Sequence, residues 1–222
     1  MREYLDLSGW PRRDAFEHFR RFEQPFFGLC CRLDVAPLKA ALAASGGASL
    51  ALAYHFIALR LANEQAPFRW RLEGERVCVH PVVHGSATVL RDDESFGFAL
   101  LTHERSFSAF SRHGAAAMAA ARAGSAPFDA RSDDTALIHF TALPWVHFSS
   151  FTHARNLGRA DSIPKVAFGR IDADGPRQWL PVAVDVHHAL MDGLHVGRYL
   201  LALEDALAHP QAWLDAGPDS KG

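Results

Sequence analysis

The sequence predicts one α+β domain with a mixed or antiparallel sheet. Apolar runs that suit strands alternate irregularly with amphipathic runs that suit helices, so the regular strand–helix–strand order of an all-parallel sheet is missing. Across the 222 residues there is no repeat, no low-complexity block and no linker. We therefore expect residues 1–222 to form a single domain, with a polar tail that frays from about Gln211.

The helix predictions rest on apolar residues at helical spacing and on residues that start or stop a helix. Pro11 suits the first turn of an opening helix, in which Phe16, Phe19 and Phe22 recur at near-helical spacing. Gly124 ends an alanine-rich helix, and the last helix keeps its apolar residues on one face. Beyond the opening helix, helices are expected over residues 37–44, 49–63, 104–123 and 194–208.

The strand predictions rest on short apolar or alternating runs bounded by turn residues. Residues 73–75 separate two such runs as the turn of a hairpin, and residues 172–175 are expected to form a second turn. The strands are expected over residues 26–35, 67–72, 77–79, 87–90, 96–102, 137–145, 165–171 and 178–186.

Composition and charge exclude several classes of function. A net charge of -2 and the lack of a basic block argue against a nucleic-acid partner. No apolar run reaches the ~18 residues of a membrane span, and the charged first residues lack the apolar centre of a signal peptide. Three cysteines, of which Cys30 and Cys31 are adjacent, indicate free buried thiols in a reducing cytoplasm. The sequence also lacks a Walker motif and a dinucleotide-binding fingerprint.

Chemistry-bearing residues concentrate in the stretch 187–193, which follows a predicted buried strand and precedes the last helix. A metal site is one reading, but consecutive histidines on a strand point to opposite faces and the spacing matches no zinc pattern. Nucleophilic hydrolysis is another, but Gly-x-Ser-x-Gly is absent, and the apolar surroundings of Cys30 and Cys31 suit packing rather than attack. A strand-end histidine is often structural; the third reading makes His188 a general base that needs no protein nucleophile and no metal.

The same stretch carries a resemblance to a known family. Residues 187–198, His-His-Ala-Leu-Met-Asp-Gly-Leu-His-Val-Gly-Arg, resemble the HHxxxDGxHVGR signature of the chloramphenicol acetyltransferases almost throughout. The shorter HHxxxDG pattern also occurs in acyltransferase domains of 2-oxo-acid dehydrogenase complexes, so further matches are needed to narrow the family. These are Trp10-x-Arg12-Arg13 with Phe16, Phe68-Arg69, and Ala142-Leu143-Pro144-Trp145-Val146-x-Phe148-x-Ser150-Phe151. The resemblance covers essentially the full chain.

The resemblance implies a two-layer fold of mixed sheet and helices, and a homotrimer with active sites between subunits. In the family, the histidine at the position of His188 takes the proton from the 3-hydroxyl of chloramphenicol, which attacks the thioester carbonyl of acetyl-CoA. Its ring is held by a hydrogen bond to its own main-chain oxygen, and the acceptor pocket lies largely on the neighbouring subunit. Asp192 matches an aspartate that pairs with an arginine, here Arg12, to brace the loop. His187 is expected to be structural.

Other positions of the family's site carry over by the same resemblance. Thr141 falls where the family has a serine that stabilises the oxyanion; its hydroxyl either keeps that role or is satisfied by a neighbouring carbonyl. Trp145 and Arg170 match positions that line the CoA channel. The implied acceptor-binding residues are Phe19, Phe27, Phe96, Phe128, Phe151 and His153.

Departures from the family pattern leave alternatives open for the acceptor. His153 replaces a leucine, Ala167 a threonine and His139 an asparagine, while Glu23 and Pro25 replace apolar or thiol residues. The first expectation is O-acetylation of chloramphenicol by acetyl-CoA. One alternative is a CoA-dependent acetyltransferase for a different hydroxyl-bearing small molecule, and another is a trimeric protein that sequesters a ligand without catalysis.

Overall fold

The computed structural model describes residues 3–125, 134–155 and 161–214 of the chain. Within these ranges the helices are α1 (Arg13–Phe19), α2 (Ala36–Ala44), α3 (Leu50–Glu64), α4 (Phe107–Arg122), α5 (Gly193–Ala208) and α6 (Gln211–Leu214). The strands are β1 (Glu3–Tyr4), β2 (Phe26–Asp34), β3 (Trp70–Glu73), β4 (Arg76–Val79), β5 (His84–Leu90), β6 (Phe96–Leu101), β7 (Leu137–Ala142), β8 (Lys165–Phe168), β9 (Asp172–Asp174) and β10 (Arg177–His187). These elements confirm the α+β class.

A mixed sheet of seven strands forms the frame of the molecule. Six strands lie in the order β2-β10-β8-β7-β5-β6, and β9 pairs with the start of β10. β7 runs parallel to its neighbours β5 and β8, whereas the other pairs are antiparallel. β10 pairs with β2 along nearly its whole length, from Trp179 opposite Asp34 to His187 opposite Phe26. A separate three-stranded sheet has the order β1-β4-β3.

The two faces of the large sheet have different partners. Successive residues of a strand point to opposite faces, and Val182, Val184 and Val186 of β10 pack with α2, α3 and α5 in the main hydrophobic cluster. We call this the helix face. Ala167 and Ala183 point the other way, onto what we call the outer face, and pack there with Phe148. The covering of the outer face thus comes in part from the segment that follows β7.

Helix α3 is the central helix of the core. Ten of its 15 residues are buried, and Ser49 begins it as an N-cap whose side chain accepts a hydrogen bond from the N–H of Leu52. Each fully buried large apolar side chain, such as Phe56 or Ile57, contributes about 1.5–3 kcal/mol. The apolar run that predicted α3 therefore also predicted its burial.

The structure corrects some boundaries. Residues 172–174, expected in a turn, form β9, and the turn lies at Gly175, whose φ of 57° suits glycine. Residues 211–214, expected to fray, form α6, where Trp213 lies under the guanidinium of Arg60. The three cysteines are free as expected, but Cys30 is exposed because it lies on the outer face of the edge strand β2. Among the described residues, no helix is both long and apolar enough to cross a bilayer.

Candidate active site

The proposed base lies in a tight loop between β10 and α5. The backbone N–H of His188 donates to the carbonyl of Pro25 at 2.7 Å, which extends the pairing of β10 with β2 by one step. The N–H groups of Leu190 and Met191 then donate to the carbonyl of His187 at 3.0 and 3.1 Å. This turn ends the strand and leads the chain into α5.

One hydrogen bond and two aromatic rings hold the side chain of His188. Nδ1 lies 3.1 Å from the carbonyl oxygen of Met191. Since a carbonyl only accepts, Nδ1–H donates there and Nε2 keeps a free lone pair. Phe19 stacks on the imidazole with ring centroids 3.8 Å apart, and Phe27 packs at 4.6 Å. These contacts fix the orientation of the imidazole and leave Nε2 without a bond in the part of the chain that the structure describes.

One expectation drawn from the resemblance differs here. The ring of His188 was expected to bond its own main-chain oxygen, but Nδ1 is directed at Met191 and the His188 carbonyl accepts from Arg12. Phe19 and Phe27, two of the predicted acceptor residues, contact the histidine of their own chain. They do so because α1 ends and β2 begins beside the loop.

Arg12 ties this loop to the start of α1. Its Nε donates to Oδ2 of Asp192 at 3.0 Å, Nη1 to the carbonyl of Ala189 at 3.2 Å, and Nη2 to the carbonyl of His188 at 3.0 Å. The arginine side chain is 13% exposed and the aspartate side chain 38% exposed. The Arg12–Asp192 pair is therefore present as expected, but it is only partly buried.

Asp192 also begins α5 as its N-cap. Its Oδ1 accepts from the N–H of Leu194 at 3.0 Å and lies 2.8 Å from Nδ1 of His195. Partial burial raises the pKa of the Asp192 carboxyl, but the hydrogen bond from His195 and the charge of Arg12 outweigh it and hold the pKa below its ordinary value. The carboxylate is thus ionised and serves as a brace.

His187 has a structural environment. Its side chain is buried, its Nδ1 accepts from the N–H of Ala189 at 3.2 Å, and its ring packs edge-on against Phe26. Burial lowers the pKa of His187 to about 4, so the imidazole is neutral at physiological pH. His187 was expected to be structural, and these contacts are those of a packed, hydrogen-bonded side chain.

Thr141 lies on the outer face, away from His188 of its own chain. It is the register partner of Ala167 on β8, which in turn pairs with Ala183 on β10. His188 lies five residues beyond Ala183 along the chain, and two strand spacings separate β10 from β7. Thr141 and His188 are therefore roughly 19 Å apart. Within one chain the proposed base and the proposed oxyanion donor do not meet.

Two other predicted acceptor residues lie on the outer face with Thr141. Phe151 packs with Phe148, Ala167 and Ala183, and its ring meets that of His153 edge-on with centroids 4.6 Å apart. Phe96, in contrast, is 45% exposed on β6, at the far edge of the sheet. Phe128 lies outside the described residues. The predicted acceptor residues therefore fall into separate groups within one chain.

A buried polar cluster on the outer face was missed by sequence reasoning. Asp185 of β10 is 3% exposed and accepts from Nδ1 of His153 and Nη2 of Arg155, both at 2.9 Å. Beside it, Nζ of Lys165 donates to Oδ2 of Asp161 at 2.6 Å. A signal was present, because an aspartate between two valines in a buried strand requires a partner.

His139 completes the row of polar side chains across this face. It pairs in register with Lys165, which pairs with Asp185. Burial lowers the pKa of His139 to about 4, and the charge of Lys165 adds to that effect. Burial raises the pKa of Asp161, but the ammonium of Lys165 outweighs it and keeps the carboxyl ionised.

Trp145 and Arg170, the predicted CoA-channel residues, lie together at the surface. Nη1 of Arg170 donates to the carbonyl of Trp145 at 3.3 Å, and Nε donates to Oδ1 of Asp172 at 3.0 Å. The indole of Trp145 is 57% exposed. Nearby, a cavity of about 440 Å³ is lined by Cys30, Cys31, Arg32, His147, Phe148 and Ser149. Within the described ranges, no group of three or more histidine, cysteine or acidic side chains could hold a metal ion.

Comparisons with known proteins point to one family of enzymes. The profile of a family described as "Chloramphenicol acetyltransferase" matches residues 2–204. The chloramphenicol acetyltransferase of Streptomyces acrimycini is 31% identical over 212 residues, which cover 95% of this chain and 96% of that protein. Chloramphenicol acetyltransferase 3 of Escherichia coli is 26% identical, over 90% of this chain and 94% of that protein.

Solved structures show the same fold. A chloramphenicol acetyltransferase structure superposes with a TM-score of 0.81 at 22% identity, covering 93% of this chain and 100% of that chain. A dihydrolipoamide acetyltransferase of Azotobacter vinelandii superposes with a TM-score of 0.69 at 19% identity, covering 90% and 87%. Together with the sequence profile, these matches define an acyltransferase. The chain belongs to the chloramphenicol acetyltransferase family.

Proposed function

We propose that the protein transfers the acetyl group of acetyl-CoA to a hydroxyl group of chloramphenicol. Family membership supports the reaction, since the relatives that share most of the chain are chloramphenicol acetyltransferases. The observation that carries the proposal is the setting of His188, whose Nδ1 is engaged by the Met191 carbonyl. That bond selects the tautomer in which Nε2 can accept a proton.

The proposed reaction needs no covalent acyl-enzyme. Nε2 of His188 takes the proton of the acceptor hydroxyl, and the oxygen attacks the thioester carbonyl. The tetrahedral oxyanion accepts a hydrogen bond from the hydroxyl of Thr141. When the carbon–sulfur bond breaks, the thiolate of CoA takes the proton from the imidazolium, which leaves the acetyl ester, free CoA and neutral His188.

The proposed site is assembled from two copies of the chain. His188 and Thr141 lie roughly 19 Å apart within one chain, which is too far for both to contact one reacting carbon. A second copy that brings its His188 to the outer face resolves this separation. We propose the homotrimer that the family resemblance implies, with each site between two subunits.

Acetyl-CoA is the proposed acetyl donor. Trp145 and Arg170 offer an exposed indole and a guanidinium held by the Trp145 carbonyl and Asp172. An exposed aromatic side chain and a positive charge suit the adenine and phosphate groups of CoA. Acetyl-CoA is a substrate in this proposal, and His188 and Thr141 are the residues that act at its thioester carbonyl.

A second candidate is an acetyltransferase for a different hydroxyl-bearing molecule. The observation that favours it is the buried polar cluster on the outer face, around His153 and Asp185. This cluster lies next to Phe151, where an acceptor would bind, and makes that side of the pocket polar.

The test incubates the protein with acetyl-CoA and chloramphenicol and measures the released CoA with a thiol reagent. The same assay is run with other alcohols in place of chloramphenicol. We expect turnover in the wild type and a loss of about 10³-fold or more in His188→Ala. His209→Ala, which removes an exposed histidine paired with Asp205, should keep wild-type turnover. CoA release only with another alcohol favours the second candidate, and none with any acceptor refutes the proposal. If analytical ultracentrifugation gives the mass of a single chain, the proposed trimer is refuted.

A further inference from the structure

The outer face holds a histidine–aspartate pair that the proposed reaction does not use. Nδ1 of His153 lies 2.9 Å from Oδ2 of Asp185, and the two side chains are only 8% and 4% exposed. Nη2 of Arg155 donates to the same carboxylate oxygen at 2.9 Å. Two side chains from one segment therefore converge on one strand residue.

The chain is shaped to accommodate this pair. Asp185 lies opposite Gly28 of β2, and a Cβ at residue 28 would overlap with Oδ1 of Asp185. The neighbouring strand thus leaves room for the carboxylate to turn toward His153.

The hydrogen bonds of the pair define the tautomer of His153. Burial raises the pKa of Asp185, but the hydrogen bond from His153 and the charge of Arg155 outweigh it and hold the pKa below its ordinary value. The ionised carboxylate only accepts, so Nδ1 of His153 carries the proton. Nδ1 is thus engaged by Asp185, and Nε2 is the ring nitrogen left for a further hydrogen bond.

That nitrogen has no partner in the part of the chain that the structure describes. Nε2 of His153 is buried without a hydrogen bond, and so is Nη1 of Arg155. The other charged groups nearby are engaged, since Lys165 donates to Asp161 and to the carbonyl of Ile163. A buried polar atom without a partner destabilises the folded protein unless a ligand or water supplies the bond.

The position of the pair connects it to the acceptor. The ring of His153 contacts that of Phe151, which packs on Ala167, the register partner of Thr141. The pair thus adjoins the place where the proposed reaction requires an acceptor hydroxyl. A second hydroxyl group could form a hydrogen bond with Nε2 of His153 and accept one from Nη1 of Arg155.

We propose that His153, positioned by Asp185, is a specificity-determining residue that binds a second hydroxyl group of the acetyl acceptor. The inference rests on the proposed function and names the acceptor class: a diol, of which one hydroxyl is acetylated and the other is bound by His153. An acceptor without the second hydroxyl leaves Nε2 unpaired and is discriminated against.

The test compares chloramphenicol, which has two hydroxyls, with its analogue that lacks the 1-hydroxyl. For each compound, kcat/KM is measured with acetyl-CoA, and Kd is measured by calorimetry without acetyl-CoA. The wild type should favour chloramphenicol by about 10- to 100-fold in both quantities.

Two substitutions separate the role of Nε2 from that of the bond to Asp185. His153→Asn places an amide nitrogen near Nδ1, so it keeps the bond to Asp185 and lacks Nε2. His153→Gln extends its amide toward the position of Nε2 and can accept from a hydroxyl. We expect His153→Asn to lose the discrimination and His153→Gln to retain part of it, while His209→Asn, at the exposed pair with Asp205, behaves as wild type.

The outcomes separate the inference from the proposed function. Turnover with equal preference for both compounds in the wild type, or unchanged discrimination in His153→Asn, overturns the inference and leaves the reaction standing. Discrimination in binding that is lost in His153→Asn, without any CoA release, supports the inference and refutes the reaction. If neither compound binds, the assignment of this pocket is overturned as well.

Discussion

Replacing Arg12 by alanine tests whether one side chain holds the loop that carries the base. The substitution removes three hydrogen bonds, to the Asp192 carboxylate and to the carbonyls of His188 and Ala189. Asp192 is 38% exposed, so solvent screens the ion pair and its contribution is at most ~1 kcal/mol. Each bond to a carbonyl contributes about 1 kcal/mol. Arg12→Ala should therefore lower the free energy of unfolding by about 2–3 kcal/mol.

The same substitution should reduce activity by displacing the base. Without Arg12, the carbonyls of His188 and Ala189 lose their anchor to α1, and a shift of the imidazole by about 1 Å costs on the order of 100-fold in rate. We expect kcat to fall more than KM changes, because the loop orients the proton acceptor. Arg12→Lys keeps the charge but cannot make three bonds in one plane, so it should recover only part of the loss.

Urea unfolding and CoA-release kinetics at one fixed protein concentration measure these effects. The matched control is Arg13→Ala, which removes a neighbouring exposed arginine of α1 and should change stability by less than about 0.5 kcal/mol. Wild-type unfolding and wild-type kcat in Arg12→Ala would refute the reasoning that this arginine holds the loop.

Three further predictions follow from the outer face and the core. Thr141→Ser should keep or raise kcat, and Thr141→Ala should lower it by about 10²–10³; equal rates in all three proteins exclude the oxyanion role. Gly28→Ala should destabilise the protein by about 1–3 kcal/mol through overlap with Asp185, whereas Gly197→Ala, in open space on α5, should stabilise it by up to ~1 kcal/mol; similar unfolding curves contradict the overlap. Buried histidines should lower the free energy of unfolding as the pH falls from 6.5 to about 4, because their imidazoles bind protons in the unfolded chain before they do so in the folded one. Each histidine should contribute up to ~1.4 kcal/mol per pH unit. His55→Phe should reduce the proton uptake on unfolding by about one in this window, and an unchanged pH slope would contradict its buried, neutral state. The histidines in question are His55, His139 and His187.

Local sequence signals predicted the central helix α3 and the helix α5 that follows the proposed base. The N-cap Ser49 and the apolar run after it define α3, and Asp192 before Gly193 begins α5, because caps and apolar spacing act within a few residues. The predicted element boundaries were wrong where pairing with a strand from another part of the chain decides the conformation. Residues 172–174 read as a turn from their Asp and Gly content, but β10 supplies hydrogen-bond partners that make them a strand.

In the candidate site too, residues of a contiguous motif were predicted, whereas a contact between distant segments was not. From the motif and the family resemblance, the sequence identified His188, Asp192 and Arg12, and the structure brings the latter two into contact. His153 was identified by the resemblance as an acceptor-binding position, but its bond to Asp185 was not predicted, because the two are 32 residues apart and the pairing depends on how the segment after β7 folds back. A lone aspartate in a buried strand indicates that a partner exists, but not which residue it is.

The sequence by itself determined the class of fold and the family, and it supplied the candidate for the base, since these depend on short-range patterns and on a contiguous motif. Only the tertiary structure decided how β2 and β10 are paired, that Phe19 stacks on His188, and that Thr141 lies on the opposite face of the sheet from that ring. A shift of one residue in strand register would exchange the two faces and separate Asp185 from His153. That register is set by the packing of the whole helix face, so no local stretch of sequence encodes it.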